Sequence, residues 1–138
     1  MSADARHKFI RRYEVTHAAV HDRHVFEQLL DRDNTHPEVW ADSAYSGLEK
    51  LEILKALGLW DRLQRQSRNN RKLTDAEKLR NRRRSRTRCR IEHIFGVQAQ
   101  RAGSLLLRTI GIVRARCKIG LRNLAYNLDR YAKLKTAT

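Results

Sequence analysis

The sequence predicts an α/β chain in which short strands alternate with amphipathic helices and two long helices follow. Three observations carry that prediction. β-Formers cluster at 9–16 and again at 38–42. Apolar residues recur at helical spacing between and after these clusters. A threonine-to-glutamate capping pattern opens a long polar stretch near residue 74.

Taken in order, Phe9 to Thr16 reads as a strand, Phe-Ile-Arg-Arg-Tyr-Glu-Val-Thr. His24 to Asp31 puts Val25, Phe26, Leu29 and Leu30 on one helical face. Asp33-Asn34-Thr35-His36-Pro37 is a turn cluster, and Glu38 to Asp42 reads as a short buried strand ending at an acid. Gly47 to Leu57 is a second helix with Leu48, Leu51, Ile53, Leu54 and Leu57 apolar, and Gly58 is placed to end it. Asp61 to Lys72 is polar, basic and without period, so it reads as a loop.

Thr74-Asp75-Ala76-Glu77 is a capping box that starts a helix running to about Gln100, on the order of 40 Å long at 1.5 Å per residue. Its middle is almost devoid of apolar residues, while Ile91, Ile94 and Phe95 return it to the core. The last helix is expected over about 109–134, with Ile110, Val113, Cys117, Leu121, Leu124, Leu128 and Tyr131 forming an apolar seam and Arg114, Arg116, Lys118 and Arg122 on other faces. A sheet of two strands is too small to stand alone, so the fold reads as incomplete at its N-terminal end.

Composition narrows the function. The 138 residues fit one domain, and thirty basic against fifteen acidic side chains give a net charge of +15 and a pI near 10.9. That balance predicts a polyanionic partner, held largely by counterion release from phosphates. No apolar run approaches the roughly 20 residues of a membrane span, and Met1 to Ala5 has no signal-peptide core. Cys89 and Cys117 lack the spacing of a zinc site or a disulfide framework, which fits a reducing cytoplasm.

The basic track from Arg80 to Arg90 contains no acid, unlike the mixed signs of a solvated helix face. It marks a footprint for nucleic-acid backbone through Arg82, Arg83, Arg84, Arg86, Arg88 and Arg90, without implying base-specific reading. Two acids stand out. Asp42 ends a strand and precedes the small Ser43 and Ala44, where α/β folds place ligands, although an aspartate there also suits capping of the next turn. Glu92 follows Arg88 and Arg84 on one helical face. It is either an ion-pair partner or, at the border with Ile91, Ile94 and Phe95, a half-buried carboxylate that needs a cation. Two such acids suit a divalent-metal site for phosphoryl transfer. Of the histidines, His17, His21 and His24 are close enough in sequence to offer a metal site, a reading that the short pattern supports less than a structural role. His21 and Asp22 suit capping and turn formation, and His93 suits a phosphate contact.

Val39-Trp40-Ala41-Asp42-Ser43-Ala44-Tyr45-Ser46-Gly47, followed later by Arg84-Ser85-Arg86-Thr87-Arg88-Cys89-Arg90-Ile91-Glu92-His93-Ile94-Phe95-Gly96, resembles the C-terminal half of bacterial insertion-sequence transposases of the DDE class, in the grouping of insertion sequences four and five. The segments from Arg11 to Asp22 and from Ile119 to Leu128 are similar to the same family, so the resemblance covers nearly the whole chain, 1–138.

The resemblance implies a partial ribonuclease H-like core that lacks its first strand or strands. It also implies an Asp-Asp-Glu triad holding two Mg2+ (or Mn2+) ions, with Asp42 as the second aspartate and Glu92 as the glutamate. Around that glutamate the family carries tyrosine, arginine, glutamate and lysine in order. Arg88 matches the arginine, but Ser85 stands in the tyrosine's place and Ala99 in the lysine's, with Gln100 and Arg101 adjacent. The family's first aspartate has no match. Asp4 and Asp22 are the nearby acids, and neither stands in its place.

The chain is therefore expected to be a C-terminal transposase fragment that binds double-stranded DNA at transposon ends. A two-metal site is expected only if an upstream-encoded N-terminal polypeptide supplies the missing aspartate. The alternative is a basic DNA-binding remnant without catalysis. The expected location is the bacterial cytoplasm, at the nucleoid, with no membrane partner; oligomeric state is left open.

Overall fold

The computed structural model describes residues 1–17, 19, 25–31, 33, 36–45, 47–64 and 72–137. It is α/β and divides into two compact units, one made of Met1–His21 with Ile91–Thr138 and the other of Asp22–Arg90. His21, Asp22 and His24 lie outside the described residues, as does 65–71 of the predicted loop.

The Asp22–Arg90 unit is built on a βαβ arrangement. After a single helical turn, α1 (Phe26–Leu29), come β3 (Glu38–Val39), α2 (Leu48–Ala56) and β4 (Trp60–Asp61). Strands β3 and β4 pair in parallel, Glu38 opposite Trp60 and Val39 opposite Asp61. Backbone bonds extend the ladder at both ends, from Trp60 N–H to the Pro37 carbonyl (2.7 Å), Arg62 N–H to Val39 (3.0 Å) and Gln64 N–H to Ala41 (3.1 Å). The predicted strand over 38–42 is thus present as a ladder that ends one residue before Asp42. Its partner β4 has no counterpart in the sequence pattern, because two residues after a helix stop give no alternation to read.

Helix α2 ends as predicted at Gly58, whose φ of 67° no β-carbon residue adopts cheaply. There the Gly58 N–H meets the Lys55 carbonyl (3.0 Å) and the Leu59 N–H meets Leu54 (2.8 Å), which satisfies carbonyls the helix leaves open. The core of this unit is Phe26, Leu30, Leu54 and Leu63, with Val39, Ala41, Tyr45 and Leu51 among the side chains packed on it. Each fully buried leucine contributes about 1.5–3 kcal/mol relative to exposure.

The other unit begins with a small antiparallel pair, β1 (Ser2–Ala3) and β2 (Ile10–Arg12). Its remaining elements are the second part of α3 (Asp75–Ala102), beginning at Ile91, and the whole of α4 (Ile112–Thr136). The start of α3 is the predicted capping box: Thr74 N–H donates to Glu77 Oε2 (2.9 Å) and Glu77 N–H to Thr74 Oγ1 (3.3 Å). Helix α4 starts later than expected, because Gly111, at φ 90°, turns the chain just before it and leaves Thr109 and Ile110 outside.

The core here is Ile10, Ile94 and Tyr126, with Met1, Ala3 and Val97 against it. Polar fasteners do much of the remaining work. Asn127 grips the β2 backbone twice, receiving the Ile10 N–H at Oδ1 and donating Nδ2–H to the Ile10 carbonyl, both at 2.9 Å. Buried Gln98 donates to buried Asn123 (2.9 Å), and Arg130 donates to the His7 carbonyl (2.7 Å). Gly120 leaves the space that the Tyr13 hydroxyl fills, since a β-carbon there would lie 2.7 Å from that oxygen.

Two expectations need correction. Phe95 is exposed rather than returned to the core, where Ile94 alone is fully buried among Ile91, Ile94 and Phe95. The apolar seam of the last helix points outward: Val113, Cys117, Leu121, Leu124, Leu128 and Tyr131 are all exposed. Asn123, Tyr126 and Asn127 face the interior instead: Asn127 satisfies the open Ile10 backbone of β2, Asn123 accepts from Gln98, and Tyr126 joins the core.

Candidate acidic site and basic helix face

The parallel ladder delivers Asp42 at its C-terminal end, and the side chain turns back on its own backbone. Oδ1 accepts the Ala44 N–H (2.8 Å) while the Asp42 carbonyl accepts the Tyr45 N–H (3.3 Å), so Asp42 opens the 3-10 turn Ser43–Tyr45. Its second oxygen lies 3.8 Å from Arg88 Nη1. Asp42 therefore caps a turn and also stands where α/β folds place ligands, half exposed and with a cation beside it.

Helix α3 sorts its arginines by face within the Asp22–Arg90 unit. Arg84 and Arg88 are half-buried, with Ser85 between them. Arg84 donates to the Leu63 carbonyl, Ser85 accepts from Gln64 Nε2, and Arg88 meets Asp42. Arg80, Arg82, Arg83, Arg86 and Arg90 are exposed. Reading the track as one uniform footprint misses this division. Its signal is the spacing of Arg84 and Arg88, one helical turn apart, which puts both on one face. The middle of α3 is accordingly held by polar contacts despite its lack of apolar residues.

Glu92 belongs to the other unit and is exposed, not half-buried as expected, while Ile94 two residues on takes the interior position. His93 is exposed beside it. Ser85, at the motif position of the tyrosine, is occupied by Gln64. Ala99, at the position of the lysine, has Arg101 nearby, and that arginine pairs with Asp129 at 2.7 Å. Hydrogen bonding to Arg101, then to Lys133, holds the Asp129 carboxyl below its ordinary range. Burial pushes the Tyr126 phenol up.

Among the described residues, no group of three or more His, Cys, Asp and Glu side chains could hold a metal ion. Asp42 offers oxygen donors of the kind Mg2+ takes, but one carboxylate engaged by its own turn and by a guanidinium does not make a two-metal site. The described residues of this chain do not fit such a site by themselves. No described helix is long and apolar enough to cross a membrane.

A parallel ladder that ends at an aspartate, in one unit with an arginine-covered helix, is an α/β arrangement suited to an anionic ligand. The family model for the transposase DDE domain matches residues 2–128, and the chain belongs to that family. The family's work is DNA transposition, and its domains generally use divalent metal ions. No curated protein and no solved structure matches the chain.

Proposed function

We propose that this chain is the C-terminal part of an insertion-sequence DDE transposase of the grouping named after sequences four and five, with a partial ribonuclease H-like core. It holds transposon-end DNA against the arginines of α3 and contributes Asp42 and Glu92 to a metal site that the family's first aspartate, unmatched in these residues, completes. The observation that carries this reading is Asp42 at the end of a parallel ladder, beside Arg88, in a chain matched by the family model almost throughout. Mg2+ or Mn2+ is the expected ion, since the donors are carboxylate oxygens.

The outward arginines Arg82, Arg83, Arg86 and Arg90 bind phosphates, while Arg84 and Arg88 shape the ground around Asp42. Replacing all four outward arginines with alanine lowers the slope of log affinity against log salt by about 0.9 for each phosphate no longer neutralised. Titration of a labelled duplex over a range of salt concentrations measures it.

The decisive assay is cleavage and strand transfer on the element's own end sequence with Mg2+, with and without a polypeptide that supplies the first aspartate. Activity that needs both chains and is abolished by Glu92→Gln supports the proposal. Salt-sensitive binding with no cleavage under either condition supports a DNA-binding remnant instead, a reading favoured by the turn-capping role of Asp42.

A further inference from the structure

We propose that the outward face of α4 docks an amphipathic helix from a partner polypeptide, one whose apolar seam is flanked at both ends by carboxylates. The face is built for a helix. Cys117, Leu121, Leu124, Leu128 and Tyr131 are exposed and follow one another at alternating four- and three-residue steps. This is the spacing that keeps an apolar line facing a second helix along its length. The line is narrow, as coiled-coil seams are, rather than the wider stripe of a helix lying on a globular core. Leu121 and Leu128 are each 61% exposed, so the helix's own unit leaves the line uncovered.

Charge along the same face selects the occupant. Beside the middle of the line stand Ala125 and Ala132, which are small, exposed and permit close approach, while Gly120 and Asn127 on its other side are uncharged and meet Tyr13 and Ile10. Cations stand at its ends. Arg114 and Lys118 are exposed at one end, and Lys135 is exposed at the other, with Nζ 5.8 Å from the centre of the Tyr131 ring. A second copy would set cations against cations whether the two helices ran parallel or antiparallel, on chains that each carry +15. A helix with acidic ends meets both groups favourably and leaves the uncharged middle to apolar contact. Docking of this kind requires nothing of the transposition chemistry above.

The probe is a synthetic 21-residue peptide, a length chosen to give about three heptads. Leucines occupy the seam positions, alanine and glutamine the remainder, and glutamates both ends. A twin peptide carries lysine for each glutamate. Fluorescence anisotropy with the full chain is expected to show binding of the acidic peptide and about tenfold weaker binding of its twin, an electrostatic preference of interface size. The combined Leu121→Gln, Leu124→Gln and Leu128→Gln variant should lose the acidic peptide, with circular dichroism unchanged because these side chains touch no core. Should that variant misfold, Arg114→Glu with Lys118→Glu and Lys135→Glu should instead reverse the preference between the peptides.

Equal binding of the two peptides would overturn the proposal. So would undiminished binding by the leucine variant, which would place the acidic peptide on the α3 arginines. A dimer in sedimentation equilibrium that the leucine variant dissolves would assign the face to a second copy. Seam-dependent binding to phosphatidylcholine–phosphatidylglycerol vesicles, with no peptide competition, would assign it to lipid.

Discussion

The two units hold themselves together by different means. The Asp22–Arg90 unit closes around Phe26, Leu30, Leu54 and Leu63, an apolar cluster wrapped by a βαβ turn of chain. The unit of Met1–His21 with Ile91–Thr138 has, among the described residues, a core of Ile10, Ile94 and Tyr126, and relies on amides and guanidiniums that seize backbone: Asn127 on Ile10 and Arg130 on His7. Its longest apolar line faces outward. Apolar periodicity therefore marks a surface that excludes water but does not say whether the chain's own core or a partner does the excluding.

Leu54→Ala should test the apolar unit hardest, costing about 2–5 kcal/mol in chemical denaturation because the emptied space is fully enclosed. Leu124→Ala, the same chemistry on α4, should stay within about 0.5 kcal/mol, as an exposed position does. Equal costs would erase the contrast between the units. Asn127→Leu strands both the N–H and the carbonyl of Ile10, and should cost about 1–3 kcal/mol for the groups left unmet. Hydrogen exchange at the Ile10 amide should accelerate with it.

Thr74→Ala removes one side of the capping box and should cost about 1 kcal/mol, with fraying of the first turn of α3 seen by NMR. The smallest effect is one of pH. Asp129 has a lowered pKa in the fold, so its contribution is present above the ordinary carboxylate range and is lost as pH falls through the folded value. Denaturation curves of the native chain and of Asp129→Asn should differ at neutral pH and converge in acid.

Signals that act within a few residues are legible in the sequence. The Thr74–Glu77 box and Gly58 act through bonds to neighbours, and both elements begin or end where they indicate. Asp42 is legible as the residue after a strand, because the ladder follows its β-formers. Strand β4 is not, since its two residues acquire their state only from β3. The exposure of Glu92 and the direction of the α4 seam escape the sequence for a related reason. A helix's pattern fixes which residues share a face, whereas the element opposite decides which face turns inward. Opposite α4 lies a strand with open backbone, and it draws the face carrying Asn123 and Asn127 toward it. The exposed arginines of α3 and their inward neighbours Arg84 and Arg88 are separable by spacing alone, but only once Leu63 and Asp42 give the inward face something to hold.

The Asn127 clamp has a bearing on solubility. An uncovered strand edge is a template on which other chains assemble, and this is a common route to insoluble material. Among the described residues Ile10 has a strand neighbour on one side, and its N–H and carbonyl on the other side are both taken by one side-chain amide. The amide imitates a neighbouring strand for the span of a single residue. A stray peptide seeking to zip onto β2 at that point must first displace Asn127 and both of its bonds.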